Sequence, residues 1–85
     1  MANYNVLIKR SAARELEGLP AKYRRRVASK IAALAKNPRP PGCEKLSEEE
    51  KYRLRQGNYR ILYEILDRDL IVTVVKIGDR RDVYR

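Results

Sequence analysis

The sequence predicts an α+β fold, an antiparallel sheet with a two-helix hairpin against one face, in the order β-α-α-β-β-β. Three observations predict it. Apolar residues between Tyr23 and Leu34 recur at helical spacing. On either side of Gly57-Asn58 the chain switches to period two, the mark of strands. A nearly unbroken apolar run then follows from Leu70 to Ile77. At 85 residues the chain is expected to form one domain, 1–85.

Tyr4, Val6 and Ile8 alternate with Asn5, Leu7 and Lys9, which predicts a first strand. Ser11 is a candidate N-cap for a short helix to Glu17, stopped by Gly18. Its apolar stripe is Ala12, Leu16 and Leu19. Pro20 suits the first turn of a second helix. That helix carries Tyr23, Val27, Ile31 and Leu34 on one face and Lys22, Arg24, Arg25, Arg26, Lys30 and Lys36 on the other. The basic face could touch a phosphate backbone, although a solvated face is the simpler reading. The helix should end near Asn37-Pro38. Residues 37–50 hold Pro38, Pro40, Pro41 and Gly42 and read as irregular, closing on the acidic Glu48, Glu49 and Glu50.

The hairpin spans 51–66. Gly57-Asn58 suits a type II′ turn with glycine supplying the positive φ. That register pairs Gln56 with Tyr59, Arg55 with Arg60, Arg53 with Leu62 and Lys51 with Glu64. Lys51, Arg53, Arg55 and Arg60 then share one face. Tyr52, Leu54, Tyr59, Ile61, Tyr63 and Ile65 share the other. Clustered like charge destabilises a sheet, so the basic face is either a polyanion site or a well-solvated surface. After the polar turn Asp67-Arg68-Asp69, the run from Leu70 to Ile77 reads as an internal strand packed on both faces. The tail, Asp79 to Arg85, has Val83 and Tyr84 as candidate anchors to the sheet.

Composition narrows the function. The net charge is +9, spread through both halves of the chain, so it belongs to the folded body. A small domain this basic is expected to meet a polyanion such as RNA or DNA, an acidic partner chain or a membrane surface. No apolar run is long enough to span a membrane. The start carries no basic leader, and a cytoplasmic protein is expected. The lone Cys43 forms no internal disulfide, and no Cys/His cluster offers a metal site. Histidine is absent, so acid–base chemistry would fall to other groups.

Taken in order, these pieces resemble the RelE/ParE superfamily of toxins from toxin–antitoxin modules. The carriers are the first strand with Lys9 and Ser11-Ala12, then Leu19-Pro20, then the hairpin Tyr52-Arg53-Leu54-Arg55, Gly57-Asn58 and Tyr59-Arg60-Ile61-Leu62-Tyr63. The ending Val75-Lys76-Ile77-Gly78-Asp79-Arg80-Arg81-Asp82-Val83-Tyr84 completes the set. The resemblance covers essentially the whole chain and implies a RelE-like, microbial-RNase-like fold. RelE-type members cleave mRNA in the ribosomal A site, whereas ParE-type members poison DNA gyrase, so fold alone does not decide between them.

The RelE-type reading implies a metal-independent endoribonuclease that uses no cofactor. Its pattern falls on Lys51, Arg53, Arg60, Arg80 and Tyr84. The family often has lysine where this chain has Arg53, and Asp79 is a second departure. Tyr84 or Lys51 would activate the RNA 2′-OH. Arg60 and Arg53 would hold the phosphate, and Arg80 would stabilise the leaving oxygen. Arg55, Arg81, Lys22 and Arg25 are candidate RNA contacts. The implied partners are a cognate antitoxin, acidic where it binds, and mRNA on the ribosome with its rRNA. Operator DNA would be reached only through the antitoxin, and no membrane is involved. A gyrase poison and a catalytically silent nucleic-acid-binding module are the alternatives.

Overall fold

The structure, a computed structural model, describes residues 3–46 and 50–79. Strand β1 (Asn5–Ile8) leads into helix α1 (Arg10–Glu17) and helix α2 (Ala21–Ala33). Then come β2 (Glu44–Lys45), β3 (Lys51–Gln56), β4 (Tyr59–Leu66) and β5 (Ile71–Asp79). The strands form one sheet in the order β1-β5-β4-β3-β2.

The α+β class stands, with two changes to the sheet. It is mixed, not wholly antiparallel, because β1 lies parallel to β5. Local pattern cannot reveal this pairing, since the two strands are joined through both helices and the whole hairpin. The stretch expected to be irregular also contributes β2, two residues that pair antiparallel with β3, Glu44 to Arg53 and Lys45 to Tyr52.

The helices differ from expectation at their ends. α1 begins at Arg10 with Lys9 in the N-cap position, and no side chain caps it, so Ser11 lies inside the helix. Gly18 does close α1, but in a right-handed conformation (φ −76°) any residue could adopt. Pro20 occupies the N-cap of α2, one position earlier than expected, and its carbonyl accepts from the Tyr23 and Arg24 amides.

The core lies between the helices and one face of the sheet. Ala12, Val27, Ile31 and Leu34 meet Tyr52, Leu54, Ile61, Tyr63, Ile65, Val72, Val74 and Ile77, all buried. Fully burying one such Leu or Ile contributes about 1.5–3 kcal/mol. Tyr23 sits at the rim of this core, its ring 5.5 Å from that of Tyr59. β5 is internal as expected, but it is buried on one face only, with Ile71, Thr73 and Val75 half-buried on the other. A bulge explains its pattern. Tyr63 pairs with Val74 and Leu62 with Lys76, so Val75 is the extra residue. Val74 and Ile77, three apart, thereby both reach the helical side. Past the end of β1, the outer edge of β5 has no strand beside it among the described residues. There Glu15 of α1 accepts from the Ile77 amide (2.9 Å) and from Lys76 Nζ (3.1 Å).

Arg39 fastens the Pro-rich loop to this frame. Its guanidinium donates to both Asp67 carboxylate oxygens (3.1 and 2.8 Å), to Glu50 Oε2 (3.2 Å) and to the Tyr52 hydroxyl (3.0 Å). Tyr4 donates to Asp67 (2.7 Å) and Tyr52 to Glu50 (2.8 Å). The buried Tyr63 hydroxyl donates to the Pro38 carbonyl (2.8 Å). One cluster thus ties together the starts of β1 and β3, the loop and the β4–β5 turn.

Candidate functional site

The site is built on the β3–β4 hairpin. Gly57 takes φ +61° while Asn58 stays out of the positive region, as a type II′ turn requires. The register follows the turn: Gln56 pairs with Tyr59, Arg55 with Arg60, Arg53 with Leu62 and Lys51 with Glu64. Paired residues share a face, so Lys51, Arg53, Arg55 and Arg60 project together from the side away from the helices.

Their surroundings differ. Arg60 is buried, at 2% exposure, although it stands on the face expected to be wet. Its partner across β5 is Gly78, which brings no side chain to crowd it. Arg53 is largely buried and meets Glu44 Oε1 at 3.1 Å. Arg55 is exposed and lies 3.9 Å from the same oxygen. Lys51 is half exposed, 4.0 Å from Glu64. Glu44 is a site component the sequence did not reveal, because it enters through the unforeseen pairing of β2 with β3.

A second missed component is Lys9. A cavity of about 310 Å³ on the sheet is lined by Lys9, Leu46, Lys51, Leu62, Glu64 and Val75, among others. The alternation of Asn5, Leu7 and Lys9 was a usable signal. What it lacked was the parallel pairing that carries β1 alongside β5 and hence toward Leu62 and Lys51.

The structure does not bring all the candidates together. Lys22 and Arg25 lie on α2, which packs on the opposite side of the sheet, and they line a separate groove. Arg80, Arg81 and Tyr84 lie outside the described residues. Among the described residues no cluster of His, Cys, Asp and Glu could hold a metal ion, and Cys43 is a half-buried free thiol. No helix among them is long and apolar enough to cross a membrane.

The arrangement can bind an anionic chain over a face whose charges are pre-set by the register. Guanidinium groups bind phosphate oxygens in a bidentate fork. One of them, Arg60, is held out of water, where its field is screened least.

Residues 6–84 match the family model described as the ParE toxin of the type II toxin–antitoxin system parDE. The chain is 31% identical over 86 residues to a Methanocaldococcus jannaschii protein assigned as toxin RelE1, covering 96% of each. It is 29% identical over 85 residues to an Escherichia coli protein assigned as RelE-like, covering 95% of this chain and 90% of that one. Its structure is similar to the archaeal RelE–RelB complex of Pyrococcus horikoshii OT3. That match has a TM-score of 0.84 and 27% identity, and covers 92% of this chain and 96% of the other.

Proposed function

Because the chain belongs to the RelE/ParE family of type II toxin–antitoxin toxins, we propose that it is a ribosome-dependent endoribonuclease cleaving mRNA in the A site. One observation carries this reading. The hairpin register sets Lys51, Arg53, Arg55 and Arg60 on a single sheet face, with Arg60 buried. A buried guanidinium standing among three further cations on this face supports an anion site over a merely solvated strand face, since guanidinium groups bind phosphate oxygens in a fork.

In this mechanism the 2′-OH attacks the adjacent phosphate with no metal or cofactor. Arg60 and Arg53 hold the phosphate and the charge that develops on it. Tyr84 or Lys51 takes the 2′-OH proton, and Arg80 stabilises the 5′-oxygen as it leaves. Arg55 and Arg81 contact the RNA on either side of the cut. The ribosome positions the message, so a site without histidine suffices.

A cognate antitoxin is the second partner. The Pyrococcus RelE is seen in complex with RelB, and a basic face of this kind invites an acidic segment that covers it. Any effect on operator DNA would run through the antitoxin. The setting is the cytoplasm, where message and ribosome are found.

Primer extension on a defined mRNA in a purified translation system tests the reading. New 3′ ends inside the A-site codon are expected, absent without ribosomes. Arg80→Ala should reduce cleavage by about 10²-fold or more, in line with removal of one transition-state donor, and Tyr84→Phe should also reduce it. Intact mRNA would overturn the proposal. The matching family model is described as a ParE toxin, so a gyrase poison is the second reading. Gyrase-linked DNA breaks with intact message would favour it.

A further inference from the structure

We propose that the hollow over Leu62 on the outer sheet face is a nucleobase pocket, in which Glu64 and Lys9 select guanine. This rests on the RNA reading above and gives it a base preference.

The register lays out the face. Along β4, Arg60, Leu62 and Glu64 point the same way, opposite Arg55, Arg53 and Lys51 on β3. On the other side the bulge in β5 adds Val75 next to Leu62. Lys9 follows β1, its amide bonded to the Val74 carbonyl (2.9 Å). A strand face left to water is polar at each outward position. Here that pattern fails between Arg60 and Glu64. Leu62 and Val75 are only half-buried, and Leu46 is exposed. With Lys9, Lys51 and Glu64 they line the cavity of about 310 Å³.

An apolar floor with a few converging polar groups is the usual make-up of a small-ligand pocket. A nucleobase matches it, with broad ring faces and hydrogen-bonding edges. Unstacked bases of single-stranded RNA are read in this way. The rim carries both signs of charge. An acidic protein segment would meet Glu64 as a like charge, whereas a base is neutral.

The rim also distinguishes among bases. Glu64 stands 4.0 Å from Lys51, beyond hydrogen-bonding distance. An ionised carboxylate only accepts, and it does so through two oxygens. Guanine sets two donors side by side, N1–H and the N2 amine, next to the O6 acceptor. Glu64 takes the two donors, and Lys9, which has no ion pair among the described residues, donates to O6. Adenine and cytosine offer one amine beside a bare acceptor nitrogen, and uracil one N–H between two carbonyls. Each would set an acceptor against the carboxylate. Arg60 and Glu64 lie four residues apart on β4, about 13 Å at 3.3 Å per residue. A phosphate held at Arg60 and a base read at Glu64 therefore belong to one nucleotide or to its neighbour.

The test is fluorescence anisotropy of the full chain with labelled uridine heptamers whose central base is guanine, hypoxanthine, adenine, cytosine or uracil. Fluorine replaces every 2′-OH, so the proposed attack has no nucleophile. The guanine oligomer is expected to bind about tenfold or more tighter than those with adenine, cytosine or uracil, the discrimination of one bidentate base contact. Hypoxanthine lacks the N2 amine and should lose most of that margin. Glu64→Gln should lower the guanine-to-adenine affinity ratio by about tenfold, and Lys9→Ala should lower it too. Arg55→Ala should weaken all five oligomers alike and keep the ratio. Circular dichroism checks that each variant folds. Equal affinity for the five oligomers would overturn the proposal. So would an unchanged ratio in Glu64→Gln, which would leave Glu64 as a structural partner of Lys51. Because no oligomer is cut, the base preference is read independently of the nuclease reading, which stands or falls on cleavage of message on the ribosome.

Discussion

Arg39 shows what a single side chain can organise. It bonds Asp67, Glu50 and Tyr52 and lies over the Tyr52 ring at 5.2 Å. Glu50 immediately precedes Lys51, so this cluster also anchors the start of the strand that carries Lys51 and Arg53. The hydrogen bonds from Arg39 and Tyr4 hold the Asp67 carboxyl down to about 2. An unfolded aspartate titrates near 3.9. The folded state therefore binds fewer protons between these values, and stability should fall as pH drops from about 4 to about 2. Urea unfolding across that window should show this slope, and Asp67→Asn should flatten it. An unchanged slope in the variant would mean that other carboxylates carry the acid sensitivity. Glu50 is also held below its usual range, first by the Tyr52 hydroxyl, and would contribute in the same direction.

The hairpin is the element that matters most to the site, and Gly57 is its control point. At φ +61° a Cβ would meet nothing within 4 Å, so crowding is no obstacle; the backbone conformation is. A left-handed conformation costs an L-residue about 1–2 kcal/mol. Gly57→Ala should lower unfolding free energy by about 1 kcal/mol, since the turn can relax in part. The loss should appear in urea melts with the m-value unchanged. Loss of the proposed RNA cleavage under conditions where the variant remains folded would show that the turn also sets the spacing of Arg55 and Arg60. The bulge at Val75 plays a comparable part in β5. It lets Val74 and Ile77 both enter the core while Gly78 arrives opposite Arg60.

At the scale of the molecule, the Cα radius of gyration is 12.0 Å, and about 12 Å is expected for one compact domain of this length. Both helices and four of the strands contribute to one core. We therefore expect one domain to unfold in a single transition. Far-UV circular dichroism and tyrosine fluorescence should give coincident urea curves with an m-value of about 1–2 kcal/mol/M. Separated curves would show that the hairpin or the helices melt as an independent unit. The charge is distributed at this scale too. The sheet face has acids among its cations, whereas the α2 face has none, so the two basic surfaces differ in what they can hold.

Much of this was readable in the sequence because it depends on near neighbours. Gly57-Asn58 determined the turn, the turn determined the register, and the register decided that Lys51, Arg53, Arg55 and Arg60 share a face. Helical spacing likewise marked Val27, Ile31 and Leu34 for the core. Tertiary structure decided whatever depends on residues distant in the chain. The parallel pairing of β1 with β5 brought Lys9 to the sheet cavity, and the pairing of β2 with β3 set Glu44 beside Arg53 and Arg55. The burial of Arg60 was likewise invisible, because period-two patterning assigns a residue to a face and says nothing of what covers that face. The Arg39 cluster joins positions 4, 39, 50, 52 and 67 through side-chain hydrogen bonds that leave no periodic trace. Local order is written in spacing along the chain; contacts across the fold exist only once the chain has closed on itself.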